Sequence, residues 1–88
     1  MIEHGVNVVV VLREETDWDR FNELLAPWDY CGLGAGTGFG RRDAQFEAPS
    51  AEAAFAMAVG MAAVLTLAGL DVETCKSYEV EQEEEPDA

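Results

Sequence analysis

Residues 31–40 read CGLGAGTGFG, with glycine at Gly32, Gly34, Gly36, Gly38 and Gly40. Whether this stretch is a phosphate-cradling loop or a strand decides the architecture of the chain. A dinucleotide fingerprint, G-x-G-x-x-G, needs glycine at its first, third and sixth places. Counted from Gly32, Gly34 or Gly36, the sixth place falls on Thr37, Phe39 or Arg41, so every register fails. A phosphate loop of the G-x-x-x-x-G-K-[ST] type fails as well, because no lysine follows any of these glycines. Period two belongs to a strand, which places the glycines on one face and Leu33, Ala35, Thr37 and Phe39 on the other.

The flanking segments fall into place around that strand. Upstream, VNVVVVLR at 6–13 is a β-branched, nearly continuous apolar run, the pattern of a central strand. Thr16 opens a capping-box-like start, and Trp18, Phe21, Leu25 and Trp28 recur at helical spacing, predicting a first helix from Asp17 to Ala26 that Pro27 stops. Downstream, RRDAQFEA alternates, with Ala44, Phe46 and Ala48 on one face, and predicts a third strand. Ser50 reads as an N-cap and Gly69 as a C-terminal stop for a second helix beginning at Ala51. Residues 71–81 return to alternation, and the tail at 83–88 is acidic.

The order strand, helix, strand, strand, helix, strand resembles the ferredoxin-like fold. That resemblance implies one α+β domain over residues 1–82, with a four-stranded antiparallel sheet in the order 4-1-3-2 and two helices on one face. The valine strand then lies centrally and the glycine strand at an edge.

Eighteen acidic residues against five basic ones give a formal net charge of −13. Such a surface repels nucleic acid and anionic membrane, and it attracts cations or proteins with basic grooves. Residues 53–70 carry no charge, but alanine and glycine dominate them, which suits a buried helix better than a membrane span. MIEHG at the start has neither the basic region nor the apolar stretch of a signal peptide, and a reducing cytoplasm is the expected compartment.

The inventory for catalysis is thin. His4 falls in a terminus expected to be loose, and Cys31 and Cys75 fall on opposite edge strands, too far apart for a disulfide. Carboxylates are plentiful but stand in exposed runs without an apolar pocket to raise a pKa. No cofactor or metal site is expected, and the reading is against an enzyme.

Ferredoxin-like families can be compared residue by residue. TGFGRR resembles the third-strand signature of the RNA-recognition motif only at Gly38, Phe39 and Gly40, and the charge opposes RNA. Metal carriers need a C-x-x-C pair, which is absent. The phosphate-holding arginine of acylphosphatases compares with Arg13, but Glu14, Glu15, Asp17 and Asp19 crowd the same turn. ACT-type regulatory domains share the topology and would bind a ligand near the glycine edge or a dimer interface.

What remains is the acid. One cluster surrounds the first helix, including Asp17, Asp19 and Glu23, although the helix dipole alone accounts for acid in its first turn. A second runs through Glu79, Glu81, Glu83 and Glu84, where alternate strand residues about 6.7 Å apart make a row of charge resembling a phosphate backbone. The same glutamates would also guard a strand edge against pairing. In the second helix, Met57, Met61, Val64, Leu65 and Ala68 share a face, with Phe55, Val59 and Leu70 opposite. That second face is an apolar patch unless the helix is buried on two sides.

In size, charge and lack of a catalytic set the chain is similar to phage-encoded inhibitors, including anti-CRISPR proteins. The expectation is an acidic, monomeric or weakly dimeric protein that occupies the basic nucleic-acid-binding groove of a partner, with Asp17, Asp19, Glu23, Glu79, Glu81, Glu83 and Glu84 making contact. An ACT-like regulatory domain, a toxin's immunity protein and a halophile's domain with no charged partner stand as alternatives.

Overall fold

Three valines in the middle of the first strand, Val6, Val8 and Val10, are completely shielded from solvent, and the fold is organised around them. The computed structural model describes residues 2–81. Glu83, Glu84 and the rest of the predicted tail lie outside the described residues.

The first strand, β1, spans Ile2–Val11. It starts earlier than expected because its opening residues find partners on both sides: His4 sits across from Ala48 and from Glu79. His4 is therefore half-buried within a strand rather than in a loose terminus. A helix, α1, follows at Glu15–Leu25, with Glu14 rather than Thr16 at its N-cap. Pro27 does not end the winding but tightens it, starting a 3-10 helix over Ala26–Cys31, because a proline at an opening turn lacks only an N–H that would be unpaired there anyway.

The glycine strand, β2, spans Gly32–Gly38 and β3 spans Arg41–Ala48. Phe39 and Gly40 link them, both with positive φ, 54° and 73°. That is the signature of the two-residue turn whose twist suits a hairpin, so Phe39 leaves the strand predicted for it. A register shift between Gly32 and Gly34 also turns Leu33 to the open side of the sheet, beside Asn7 and Gln45, away from the face it was expected to share with Ala35.

The second helix, α2, spans Ala51–Leu67. The Ser50 hydroxyl accepts the Ala53 N–H at 3.1 Å at its start. Gly69, at φ 85°, lets the Leu70 N–H return to the Leu65 carbonyl at 3.1 Å at its end. That closing turn folds Leu70 into the core, so it does not belong to an exposed face as its spacing suggested. Ala54, Ala58, Met61 and Leu65 are buried against the sheet, while Phe55 and Val59 stay exposed. No helix among the described residues is long and apolar enough to cross a membrane.

The last strand, β4, spans Asp71–Glu81. The sheet order is β2-β3-β1-β4 with every neighbouring pair antiparallel, which is the expected 4-1-3-2 arrangement. The chain has the ferredoxin-like α+β fold. One face of the sheet carries the helices and the core; on the other, the Tyr78 ring lies across Gly5, where any Cβ would collide with it and with the Phe46 carbonyl.

Candidate functional site

With so few cations in the chain, their placement decides what the surface presents. Each of the four arginines is engaged by the fold itself. Arg13 pairs with Asp71 at 2.6 Å and Arg41 pairs with Glu73. Arg20 donates to the Ala68 carbonyl at the end of α2, where a cation also meets the negative end of the helix dipole. Arg42 donates to Thr37 Oγ1 at 3.0 Å and Asn22 Oδ1 at 2.9 Å, and its guanidinium lies over the Trp18 ring, 4.3 Å from the centroid. Lys76 is exposed on β4.

The acidic residues divide by role. Asp17 is buried, and its carboxylate accepts the backbone N–H groups of Arg13 at 2.9 Å and Glu14 at 3.1 Å. The Arg13 N–H leads the causes that hold its pKa below the ordinary carboxylate value; burial opposes, and the Glu14 N–H and the charges of Arg20 and Arg13 assist. Its oxygens serve the helix start instead of facing outward. Asp19 and Glu23 are exposed on α1.

Glu79 and Glu81 are exposed on β4, opposite His4 and Ile2 of β1. They belong to the edge of the sheet remote from β2. α1 packs toward the other edge, where Phe21, Asn22 and Leu25 face Gly34 and Ala35. The fold thus keeps the two acidic clusters on separate sides instead of joining them into one stripe.

The α1 cluster has neighbours that periodicity did not suggest. Leu12, Arg13, Glu14, Glu15, Trp18 and Asp19 line a shallow hollow of about 410 Å³ at the start of α1. Trp18, which shares the helical spacing of Phe21 and Leu25, is 40 % exposed and covers Arg42. The β2–β3 turn is tied to this region by the Leu12 N–H, which donates to the Gly40 carbonyl at 2.7 Å, and its Phe39 ring is fully exposed. A phenylalanine at positive φ with no burial gains nothing from the fold for its strain. Two aromatic rings and three exposed carboxylates, Glu14, Glu15 and Asp19, therefore share one pole. The sequence signal for Phe39 was its place before Gly40 between two alternating runs, which marks a two-residue turn.

The thiols are structural. Cys31 ends the 3-10 helix rather than lying in β2, and its Sγ donates to the Trp28 carbonyl at 3.1 Å; Cys75 Sγ donates to the Ala58 carbonyl at 3.2 Å. Burial, the largest cause, pushes both pKa values up, which keeps the thiols protonated and weakly nucleophilic. Among the described residues no group of three or more His, Cys, Asp or Glu side chains is placed to hold a metal ion.

No protein-family model and no curated protein matches this chain. A solved structure, the crystal structure of PH0061, is similar in fold, with a TM-score of 0.55 at 10% sequence identity over 99% of this chain. The chain spans 57% of that protein's length.

Proposed function

We propose that this protein is a small acidic binding protein that docks its α1 pole onto the basic, nucleic-acid-binding surface of a partner protein and keeps nucleic acid away from it. The observation that carries this reading is the concentration of exposed Trp18 and Phe39 among Glu14, Glu15 and Asp19, while every arginine is turned to an internal partner. Aromatic anchors within a charged rim are the composition from which protein interfaces draw most of their affinity. The net charge of −13 supplies steering toward a cationic partner.

Asp19 is the member of the expected contact set that lies in this pole, and Glu23 is exposed further along the same helix. Asp17 acts through the helix start, and Glu79 and Glu81 form a separate row at the far edge.

The test is capture on immobilised protein from a bacterial lysate at low salt, followed by competition with DNA or RNA for each protein retained. A basic nucleic-acid-handling protein should be retained, released by nucleic acid, and bound progressively more weakly as salt rises. The variants Trp18→Ala and Phe39→Ala should each weaken binding by about tenfold or more. Retention of no such protein, or equal binding by both variants, overturns the reading. A chain whose acid only suits high salt would instead gain stability in molar salt and hold no basic partner.

A further inference from the structure

A second feature lies beside the pole and is independent of the binding reading above. On the helix side of the sheet, β2 offers only Gly32, Ala35 and Thr37, as their pairing with Phe46, Ala44 and Arg42 shows. Where α1 passes over this edge there are no large side chains to meet it, and a cleft of about 240 Å³ remains. Its apolar walls are Phe21, Leu25, Ala44 and Phe46. An apolar cavity of about 150 Å³ accepts benzene, and drug-sized ligands need roughly 300 Å³ or more, so this cleft suits one ring or branched chain with one polar group.

The polar group is specified by Arg42, which lines the cleft. Its guanidinium is already held in place by Trp18, Thr37 and Asn22, so little rotamer freedom remains to be lost when a ligand arrives. Its Nε is buried and has no hydrogen-bond partner among the described residues. An unpaired buried donor on a charged group calls for an acceptor, and a guanidinium takes a carboxylate best, through two parallel hydrogen bonds. Asp29 also lines the cleft and is exposed. It disfavours a bare anion and offers a partner to a ligand ammonium.

We infer that the cleft between α1 and the glycine strand is a binding site for a small carboxylate with an apolar, ring-sized body, its carboxylate on Arg42 and its body against Phe21, Leu25 and Phe46. An ammonium next to the carboxylate, set toward Asp29, strengthens binding by offsetting that residue's repulsion. The small residues on that face of β2, Gly32, Ala35 and Thr37, are the reason the space exists. Ala35 is exposed, so a larger side chain there fills the cleft from the edge strand without entering the core.

The test is a two-dimensional amide NMR titration of the intact protein with 3-phenylpropanoate, phenylalanine and phenethylamine. The first two share the carboxylate and differ in the ammonium, and the third lacks the carboxylate. Saturable shifts are expected at Gly32, Gly34, Ala35 and Asn22 and at the Arg42 side chain for the first two probes, with phenylalanine the tighter, and none for phenethylamine. Arg42→Lys should weaken both by about tenfold or more, the effect of losing a charged hydrogen bond. Ala35→Leu should abolish binding, and Asp29→Asn should remove the advantage of phenylalanine. Absence of saturable shifts with both carboxylates on the unmodified protein overturns the proposal, as does undiminished binding to the Ala35→Leu variant. None of these outcomes bears on the protein-binding pole, whose test uses Trp18 and Phe39.

Discussion

The two βαβ halves of this molecule follow one plan and reach opposite results. In the second half, α2 lies flush on the sheet through Ala54, Ala58, Met61 and Leu65, and small residues let the helix approach closely. In the first half, α1 meets a strand almost without side chains and stands over a cleft, with Trp18 on Arg42 as its flank. Side-chain volume on the facing strand, more than topology, decides which half is closed and which stays open. Both halves contribute to the one core, Phe21 and Leu25 from the first and Met61 and Leu65 from the second, but only the open half leaves space beside it for a ligand or a partner.

That contrast can be broken most directly in the core. Met61 has no solvent exposure, and Met61→Ala should cost about 2–5 kcal/mol, enough to lower the melting temperature by roughly 10 °C or more. Leu25→Ala deletes a similar volume, but Leu25 lines a cleft already open to solvent, so the added void is less of a sealed cavity. It should cost less than Met61→Ala in denaturant unfolding; an equal or greater cost removes the distinction between the halves.

Next in size is Gly5→Ala on the open face of the sheet. Its methyl group collides with the Phe46 carbonyl as well as the Tyr78 ring, so a loss of about 1–3 kcal/mol is expected. Adding Tyr78→Ala should recover only part of that loss, because the carbonyl stays. Full recovery in the double variant would show that the ring alone dictates glycine.

Ser50→Ala at the start of α2 should cost about 1 kcal/mol through loss of the cap to Ala53. The corresponding device in the open half, Asp17, adds a pH dependence. Its pKa is lowered on folding, so the folded state binds its proton less tightly than the unfolded chain. Its contribution is complete above the ordinary carboxylate value of about 3.8 and is lost as pH falls through the lower folded value. Asp17→Asn should therefore melt earlier than the unmodified protein at pH 7 and converge with it at strongly acidic pH. A gap that persists there would assign the effect to packing instead of charge.

The smallest expected change has the opposite sign. Phe39→Asn places a residue at ease with positive φ in the turn and should stabilise the fold by about 0.5–1 kcal/mol while weakening partner binding. A destabilised Phe39→Asn variant would mean that the ring contributes to folding after all.

These predictions depend on features that differ in how plainly the sequence displayed them. Alternation marked β4 as Asp71–Glu81 and Ser50 and Gly69 marked the ends of α2, because side-chain period and backbone caps are local properties. The start of α1 was harder: Glu14, Glu15, Thr16 and Asp17 all suit a helix N-terminus, and the choice was settled by where Asp17 could reach both Arg13 and Glu14. Trp18 obeyed the apolar spacing of α1 yet lies outside, because Arg42 came from β3 to meet it, a contact no local pattern encodes. Charge clustering was visible along the chain, but which carboxylates share a surface depends on the helix lying over one sheet edge and β4 at the other. The alternating glycines announced a strand; only the packing shows that the face under α1 is the one with Gly32, Ala35 and Thr37, and that a cleft is left there.

The pairing of β1 with β4 has a kinetic consequence. Ile2 is bonded across the sheet to Glu81, so the central strand gains its second neighbour only when the last strand of the domain is available. During synthesis the valine run must wait with one side open for strand partners that lie 60 to 71 residues further along, from Val11 with Asp71 to Val6 with Ser77, since contacts of such long sequence separation form late. The β2–β3 hairpin, closed by two residues, forms on a far shorter timescale than this long closure. The folding rate of the domain should accordingly follow the strength of the β1–β4 ladder and be nearly indifferent to changes at the glycine edge.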